Sequence, residues 1–385
     1  MRSCLIFLGI AGLAHGQMLL PVGSRRALEM AKYFEGDLTA VQKESGKLAC
    51  SIRPYPARLS FNFQFWTGFD IVVPVLQFAK GGRDRPMVVA VQVAPRGASK
   101  EKSYLYMQAR LPRRVPAKFW ETKGVEITLG GGYVIGPGKY DVTLLLADSL
   151  GRSCSKTWSV DAKKLDLPTQ FAPGVVAESG HENWKGIVGG NGKLSVYMHA
   201  APLMRRRIMT KLSPWDRNLL LSSLTSLLDV GGFSEARVTV FDFDGRRVLF
   251  ESENFGAADY DRLSEVLRDL SFGTVSLKTL QGANEGEFLE GLMRKEIEQA
   301  EASSAVVFLG PSWRWGDKLS ALLREQRAQL ASTYYVALTP WVIDTTDLLA
   351  KFVKAGPRGR VLPVFQAQDL AKAVREIRDK RNVIQ

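Results

Sequence analysis

Beyond Gly192 the chain repeats one pattern: a short apolar run, an amphipathic stretch with apolar residues at helical spacing, then another apolar run. The runs are LSVYMH (194–199), ARVTVFDF (236–243), SAVVFLG (304–310), TYYVALTP (333–340) and GRVLPVF (359–365). Runs this apolar cannot face water on either side, so helices must cover a mostly parallel sheet on both faces. The pattern predicts a doubly wound, Rossmann-like α/β domain over 193–385. One step departs from the alternation. ARVTVFDF and RRVLF (246–250) leave no room for a helix between them, so these two strands must form an antiparallel hairpin turning at Asp244-Gly245.

The first half reads differently. From residue 46 to 161, short runs of β-branched and aromatic residues are separated by Gly, Pro, Asp and Arg clusters, with no helical stretch between them. That is the pattern of an antiparallel, immunoglobulin-like β-sandwich. Its last hairpin runs from Lys139 to Val160, and GGGYVIGPGKY (130–140) reads as turns and a bulge, because a phosphate-binding glycine loop would need a helix after it. Residues 17–45 contain a short helix, Ser24 to Gly36, opened by a serine cap and closed by glycine. Residues 162–192 are rich in Pro and Gly with weak periodicity and read as a linker.

Residues 1–16 carry a basic start, nine apolar or small residues and Ala14-His15-Gly16, which is the pattern of a secretory signal peptide. Nine residues are too few to span a bilayer, which takes about 20, and no later run is long and uncharged enough. An exported chain, periplasmic or extracellular, with no transmembrane segment is expected. In an oxidising compartment the remaining cysteines, Cys50 and Cys154, are expected to form a disulfide joining the first strand of the sandwich to its last.

The net charge is +13, and it is unevenly placed. Between Lys80 and Lys123 there are 11 basic residues against three acidic, whereas 191–385 holds 27 basic and 24 acidic. This basic segment 80–123 is either a set of solvated loops and strand edges or a surface for anionic glycans, lipopolysaccharide or lipid headgroups. No aromatic interleaving or nucleic-acid motif accompanies it, so nucleic acid is not an expected partner.

Asp242-Phe243-Asp244-Gly245 resembles the first motif of haloacid dehalogenase-type phosphatases, in which one aspartate is the nucleophile and the next the general acid. That family continues Gly-Thr, and here Arg246 follows Gly245. The later strands end in Gly310-Pro311, Thr339-Pro340 and Gln366, and none ends in the paired acids that hold magnesium for phosphoryl transfer. A hairpin, with Gly245 taking a positive φ and an Asp capping the turn, accounts for the same residues.

The order strand, helix, antiparallel hairpin, helix, Phe272-Gly273-Thr274, then repeated helix and strand resembles a von Willebrand factor type A domain. That family binds magnesium or calcium at an adhesion site made of an Asp-x-Ser-x-Ser run after the first strand, a Thr from a second loop and an Asp after a later strand. The resemblance places those positions on His199, Ala201, Leu203, Thr274 and Gly310. Only Thr274 keeps a side-chain oxygen, so the resemblance implies a degenerate site with no metal and no cofactor.

His199 has only His181 as a possible histidine partner after the signal segment, and no ligand set or nucleophile motif surrounds it. Arg205, Arg206 and Arg207 would stand on the rim of the altered site, with Trp313 and Trp315 at the same sheet edge. These are the candidate contact residues for an anionic partner, or else a solvated loop and core cover. The expected function is that of a non-enzymatic binding or scaffold protein. An exported phosphatase using Asp242 and Asp244, or a binder of anionic glycans or lipids through residues 80–123, are the alternatives.

Overall fold

The structure is a computed structural model, and it describes residues 17–35, 46–79, 86–97, 101–110, 122–163, 171–178, 184–187, 189–204, 211–272, 285–299, 303–312, 318–339 and 347–382. The signal-like segment 1–16 and most of the basic residues between Lys80 and Lys123 lie outside these. The chain divides into two compact units, one of residues up to Leu59 with Gln64–Gly180, the other of Ser60–Phe63 with His181–Gln385.

The first unit holds two antiparallel sheets. One has the order β1 (Met18–Leu19), β5 (Ser103–Arg110), β4 (Pro86–Pro95), β7 (Gly138–Asp148), β8 (Ser153–Ala162). The other has β2 (Ser51–Leu59), β3 (Phe65–Pro74), β6 (Glu126–Ile135), β9 (Val176–Glu178). Alternate residues from both sheets, among them Ile71, Val73, Val89, Val91, Leu105, Met107, Val142 and Leu144, form one buried core, as a period of two requires when one face of each sheet is covered. Helix α1 (Arg25–Glu35) is capped by the Ser24 hydroxyl, which accepts from the Ala27 N–H at 3.2 Å, and Ala27 packs with Leu20 and Tyr104. A single helical turn, α2 (Leu76–Ala79), follows β3.

Three expectations are corrected here. The stretch 162–192 is not wholly a linker, because β9 lies within it and pairs with β6. The buried Tyr140 hydroxyl holds that return, donating to the Gly136 carbonyl at 2.8 Å and accepting from the Gly174 N–H at 3.2 Å. Second, Gly130–Gly132 are strand residues paired to Phe69, Gly68 and Asp70 of β3 rather than turns and a bulge. Their lack of side chains is a matter of space: a Cβ on Gly132 would meet the Trp66 indole at 2.7 Å, and one on Gly131 the Phe69 ring at 2.5 Å. Third, Cys50 precedes β2 rather than sitting in the first strand. Its disulfide to Cys154 of β8 therefore ties the start of one sheet to an edge strand of the other.

The second unit is a six-stranded sheet of order β12 (Arg247–Ser252), β11 (Glu235–Asp242), β10 (Lys193–His199), β13 (Ala305–Pro311), β14 (Ser332–Leu338), β15 (Gly359–Val364). Every pairing is parallel except β11 with β12. The helices are α3 (Pro214–Val230), α4 (Ala257–Asp269), α5 (Glu285–Glu298), α6 (Ala321–Gln329), α7 (Leu348–Lys354) and α8 (Ala367–Asn382). Apolar residues of α5, α6 and α7 pack with Tyr197, Phe241, Phe308 and Tyr335 on one sheet face, while α3 contacts α4 and α8. Helix α3 starts where Ser213 and Pro214 place it: the Ser213 hydroxyl accepts from the Asp216 N–H at 3.1 Å, and Pro214 sits in the first turn, where its missing N–H costs nothing.

A buried polar group crosses this sheet. Arg237, 3% exposed, lies 3.5 Å from the Glu296 carboxylate and donates to the hydroxyls of Ser195 at 2.9 Å and Ser303 at 3.1 Å. Tyr197 completes it, donating to Glu296 at 2.9 Å. Among the described residues no helix is long and apolar enough to cross a membrane.

Candidate functional site

The strand order reverses between β10 and β13, because the chain leaves β10 towards β11 on one side and returns to β13 on the other. At such a reversal the loops beyond the carboxyl ends of the strands part and leave a crevice, which is where open α/β sheets bind ligands. His199, Asp242, Pro311 and Leu338 end the four central strands on that edge.

His199 is 1% exposed. Its imidazole stacks on Phe241 with centroids 5.5 Å apart and meets Phe243 edge-on at 5.1 Å. Nδ1 lies 3.4 Å from the Pro311 carbonyl, which can only accept, so the contact calls for a proton on Nδ1. The same carbonyl accepts from the Tyr335 hydroxyl at 3.1 Å, and that hydroxyl is 3.2 Å from the buried Asp347 carboxylate. Burial, reinforced by Asp347, raises the Tyr335 phenol well above its ordinary value. Asp347 also accepts from the Ala350 N–H at 3.0 Å as the cap of α7.

Gly310 joins His199 at this edge. Its φ is +146°, and a Cβ there would stand 2.6 Å from the His199 carbonyl oxygen, so the end of β13 approaches β10 more closely than any side chain permits. Ala201 is buried, and the loop carrying Leu203 is pinned by Asp216, whose carboxylate accepts from the Leu203 N–H at 3.0 Å and from the Ser213 hydroxyl at 2.6 Å. Thr274, Arg205, Arg206, Arg207, Trp313, Trp315 and His181 lie outside the described residues. His199, Ala201 and Gly310 are thus brought together, with Leu203 further along the loop.

Asp242 also ends on this edge, paired to Arg247 across the hairpin. Its carboxylate, 3% exposed, accepts from the Asp244 N–H at 3.0 Å and lies 3.4 Å from the Arg247 guanidinium. Burial raises its pKa above the ordinary carboxylate value, against the hydrogen bond from the Gly245 N–H. The turn is built otherwise than its sequence suggests. The positive φ, 47°, falls on Arg246 rather than Gly245, and a Cβ on Gly245 would crowd the Asp242 carboxylate at 2.7 Å. Glycine is needed there so that the turn can close over its own cap.

Three of the described acids at this edge bond to backbone: Asp242 within the hairpin, Asp216 to the loop after β10, Asp347 to α7. Among the described residues no group of three or more His, Cys, Asp or Glu side chains converges as a metal ion requires. The positions that resemblance assigns to the adhesion site, His199, Ala201, Leu203 and Gly310, present an aromatic ring, apolar side chains and bare backbone, which do not fit a hard cation. Asp216 and Asp347 were missed in the sequence reading. Ser213-x-x-Asp216 and Thr346-Asp347 are legible as caps, but their burial at the sheet edge is not.

No family model and no curated protein matches the chain. Among solved structures, it is similar to the conserved hypothetical protein BatB from Bacteroides thetaiotaomicron, at 13% identity and a TM-score of 0.34, over 50% of this chain and 100% of that one. It is also similar to an aerotolerance-related membrane protein from Bacteroides fragilis, at 14% identity and a TM-score of 0.32, over 49% of this chain and 100% of that one. A family 2 glycosyl hydrolase from Bacteroides cellulosilyticus follows, at 9% identity and a TM-score of 0.19, over 80% of this chain and 37% of that one. Likenesses this distant carry no functional argument.

Proposed function

We propose that this is an exported, non-enzymatic binding or scaffold protein. Its two parts are an immunoglobulin-like β-sandwich and a von Willebrand factor type A-like domain without the divalent-metal site. The observation that carries the reading is the hydrogen bonding of the described acids at the carboxyl edge of the sheet. That edge lies at the reversal of a sheet with a single antiparallel edge strand, and Asp242, Asp216 and Asp347 there accept from backbone N–H groups. A phosphoryl nucleophile must be reachable and in line with its substrate. Asp242, turned back onto its hairpin, is poorly placed for that. Export is supported by the Cys50–Cys154 bridge, which an oxidising compartment would preserve.

Within this reading Arg205–Arg207, Trp313 and Trp315 are the candidate contact residues. The test is an assay of the full chain on p-nitrophenyl phosphate, with and without Mg2+, beside Asp242→Asn. The expected result is no Mg2+-dependent turnover in either protein. Turnover lost in the variant would replace this reading with that of a phosphatase.

A further inference from the structure

A concave surface lies between two helices of the α/β unit. Between α6 and α7 is an open cleft of about 580 Å³ lined by Lys318, Leu319, Arg324, Lys351, Lys354 and Ala355. That is within the roughly 300 to 1,000 Å³ of ordinary ligand pockets. Among the described residues four of the six that line it are cationic and none is acidic.

Several cations elsewhere on this unit meet carboxylates, among them Lys295 with Glu251 at 3.4 Å, Arg360 with Glu376 at 2.8 Å and Lys372 with Asp369 at 3.8 Å. Among the described residues Lys318, Arg324, Lys351 and Lys354 have no such pairing. Glu290 of α5, which lies close to the start of α6, accepts from the Ser320 hydroxyl at 2.5 Å and is not part of the lining.

Helix electrostatics explains only half of this cluster. Lys351 and Lys354 belong to the last turn of α7, where the helix dipole favours cations. Lys318 and Arg324 flank the first turn of α6, which holds no acid, and there the dipole disfavours them. The helix dipole therefore does not account for their position. The walls are also fixed in place from behind. Arg327, one turn on from Arg324 and 1% exposed, donates from Nε to the Val353 carbonyl at 3.3 Å, joining α6 to the end of α7. Gly356 leaves the space its guanidinium fills, since a Cβ there would meet Cζ at 2.5 Å.

We propose that this cleft receives an acidic segment of a partner polypeptide. The cations are mostly lysines, point charges on flexible stems that accept carboxylates in many geometries, rather than a set of arginine forks suited to phosphate. Leu319 and Ala355 add apolar surface among them, which suits a peptide carrying an apolar residue between its acids and offers nothing to a hydrated inorganic anion. None of the lining residues belongs to the crevice at the sheet edge, so the inference stands whether or not that crevice binds anything.

The test is fluorescence anisotropy of a fluorescein-labelled peptide, Glu-Leu-Asp-Glu-Leu-Asp-Glu, titrated with the full chain, beside its Gln and Asn counterpart. The expected result is binding of the acidic peptide alone, weakened at least about tenfold by the double variant Lys351→Glu, Lys354→Glu and by a rise from 50 to 300 mM salt. Arg324→Gln, an exposed change that preserves the fold, should weaken it by a smaller factor, and Lys295→Glu outside the cleft should not. Equal binding of the neutral peptide, or acidic-peptide binding that ignores the double variant, overturns the proposal. So does a cleft that fails to bind peptide yet retains inorganic phosphate or phosphatidylglycerol vesicles in a manner lost in the double variant.

Discussion

The two units bury polar chemistry in different ways. The antiparallel unit shares one apolar core between its sheets, adds a covalent tie, Cys50 to Cys154, and pairs its buried Asp148 with a partly exposed Arg152 at the hairpin turn between β7 and β8. The α/β unit has no disulfide; it buries an ion pair, Arg237 with Glu296, inside a network of hydroxyls. A sheet half-covered by a second sheet can be held by chain connectivity. A sheet covered on both faces by helices has buried strand ends and centres, so each polar group there needs its own partner.

The largest effect should come from breaking that partnership. Glu296→Ala leaves buried Arg237 with only the exposed Glu253 carboxylate, 3.8 Å away, and should cost the α/β unit about 3 to 5 kcal/mol. Hydrogen exchange read by mass spectrometry should show β10, β11 and α5 losing protection while β3 to β7 keep theirs. Equal loss in both units would mean that they unfold as one. Next comes the disulfide: Cys50→Ala with Cys154→Ala should destabilise the antiparallel unit by roughly 2 to 5 kcal/mol, given the long loop it closes. Denaturant titration with and without reductant checks this, and the α/β transition should not move.

A pair of glycines gives the finest comparison. Gly310→Ala forces a side chain onto backbone at a φ of +146° and should cost about 1 to 3 kcal/mol. Gly132→Ala meets only the partly exposed Trp66 indole, which can swing away, so its cost by chemical denaturation should be smaller. The reverse order would mean that the indole is held as firmly as the backbone.

The units were not equally legible in the sequence. In the α/β unit each helix announces itself locally, through Ser213-Pro214 before α3 and Asp347 before α7, and strands of five or more apolar residues between such helices fix a parallel sheet. Even its exception, the hairpin at Asp242 to Arg247, follows from a missing helix. The antiparallel unit has no such local markers. The strand at Gly130–Gly132 was read as turns because glycine usually means that, and only the cross-strand rings of Phe69 and Trp66 explain the residues. The return of β9 from the 162–192 stretch depends on Tyr140, more than 30 residues earlier. In the candidate site, the positions were legible but their contacts were not. Nothing local tells that His199 is sealed between Phe241 and Phe243, or that Asp242 caps its own turn. The basic cleft was invisible for the same reason, since Lys318 and Lys354 meet only in the fold.

The bridge between Cys50 and Cys154 also decides how the chain would respond to being pulled. Its ends are 104 residues apart in sequence, and β2 to β7 lie between them. Tension applied at the two termini would pass through the sulfur atoms and bypass that loop, leaving about 350 Å of contour length, at some 3.4 Å per residue, shielded from extension. A cut by a protease anywhere inside the loop would likewise leave the pieces joined. Under load the protein would therefore behave as a shorter tether than its sequence implies.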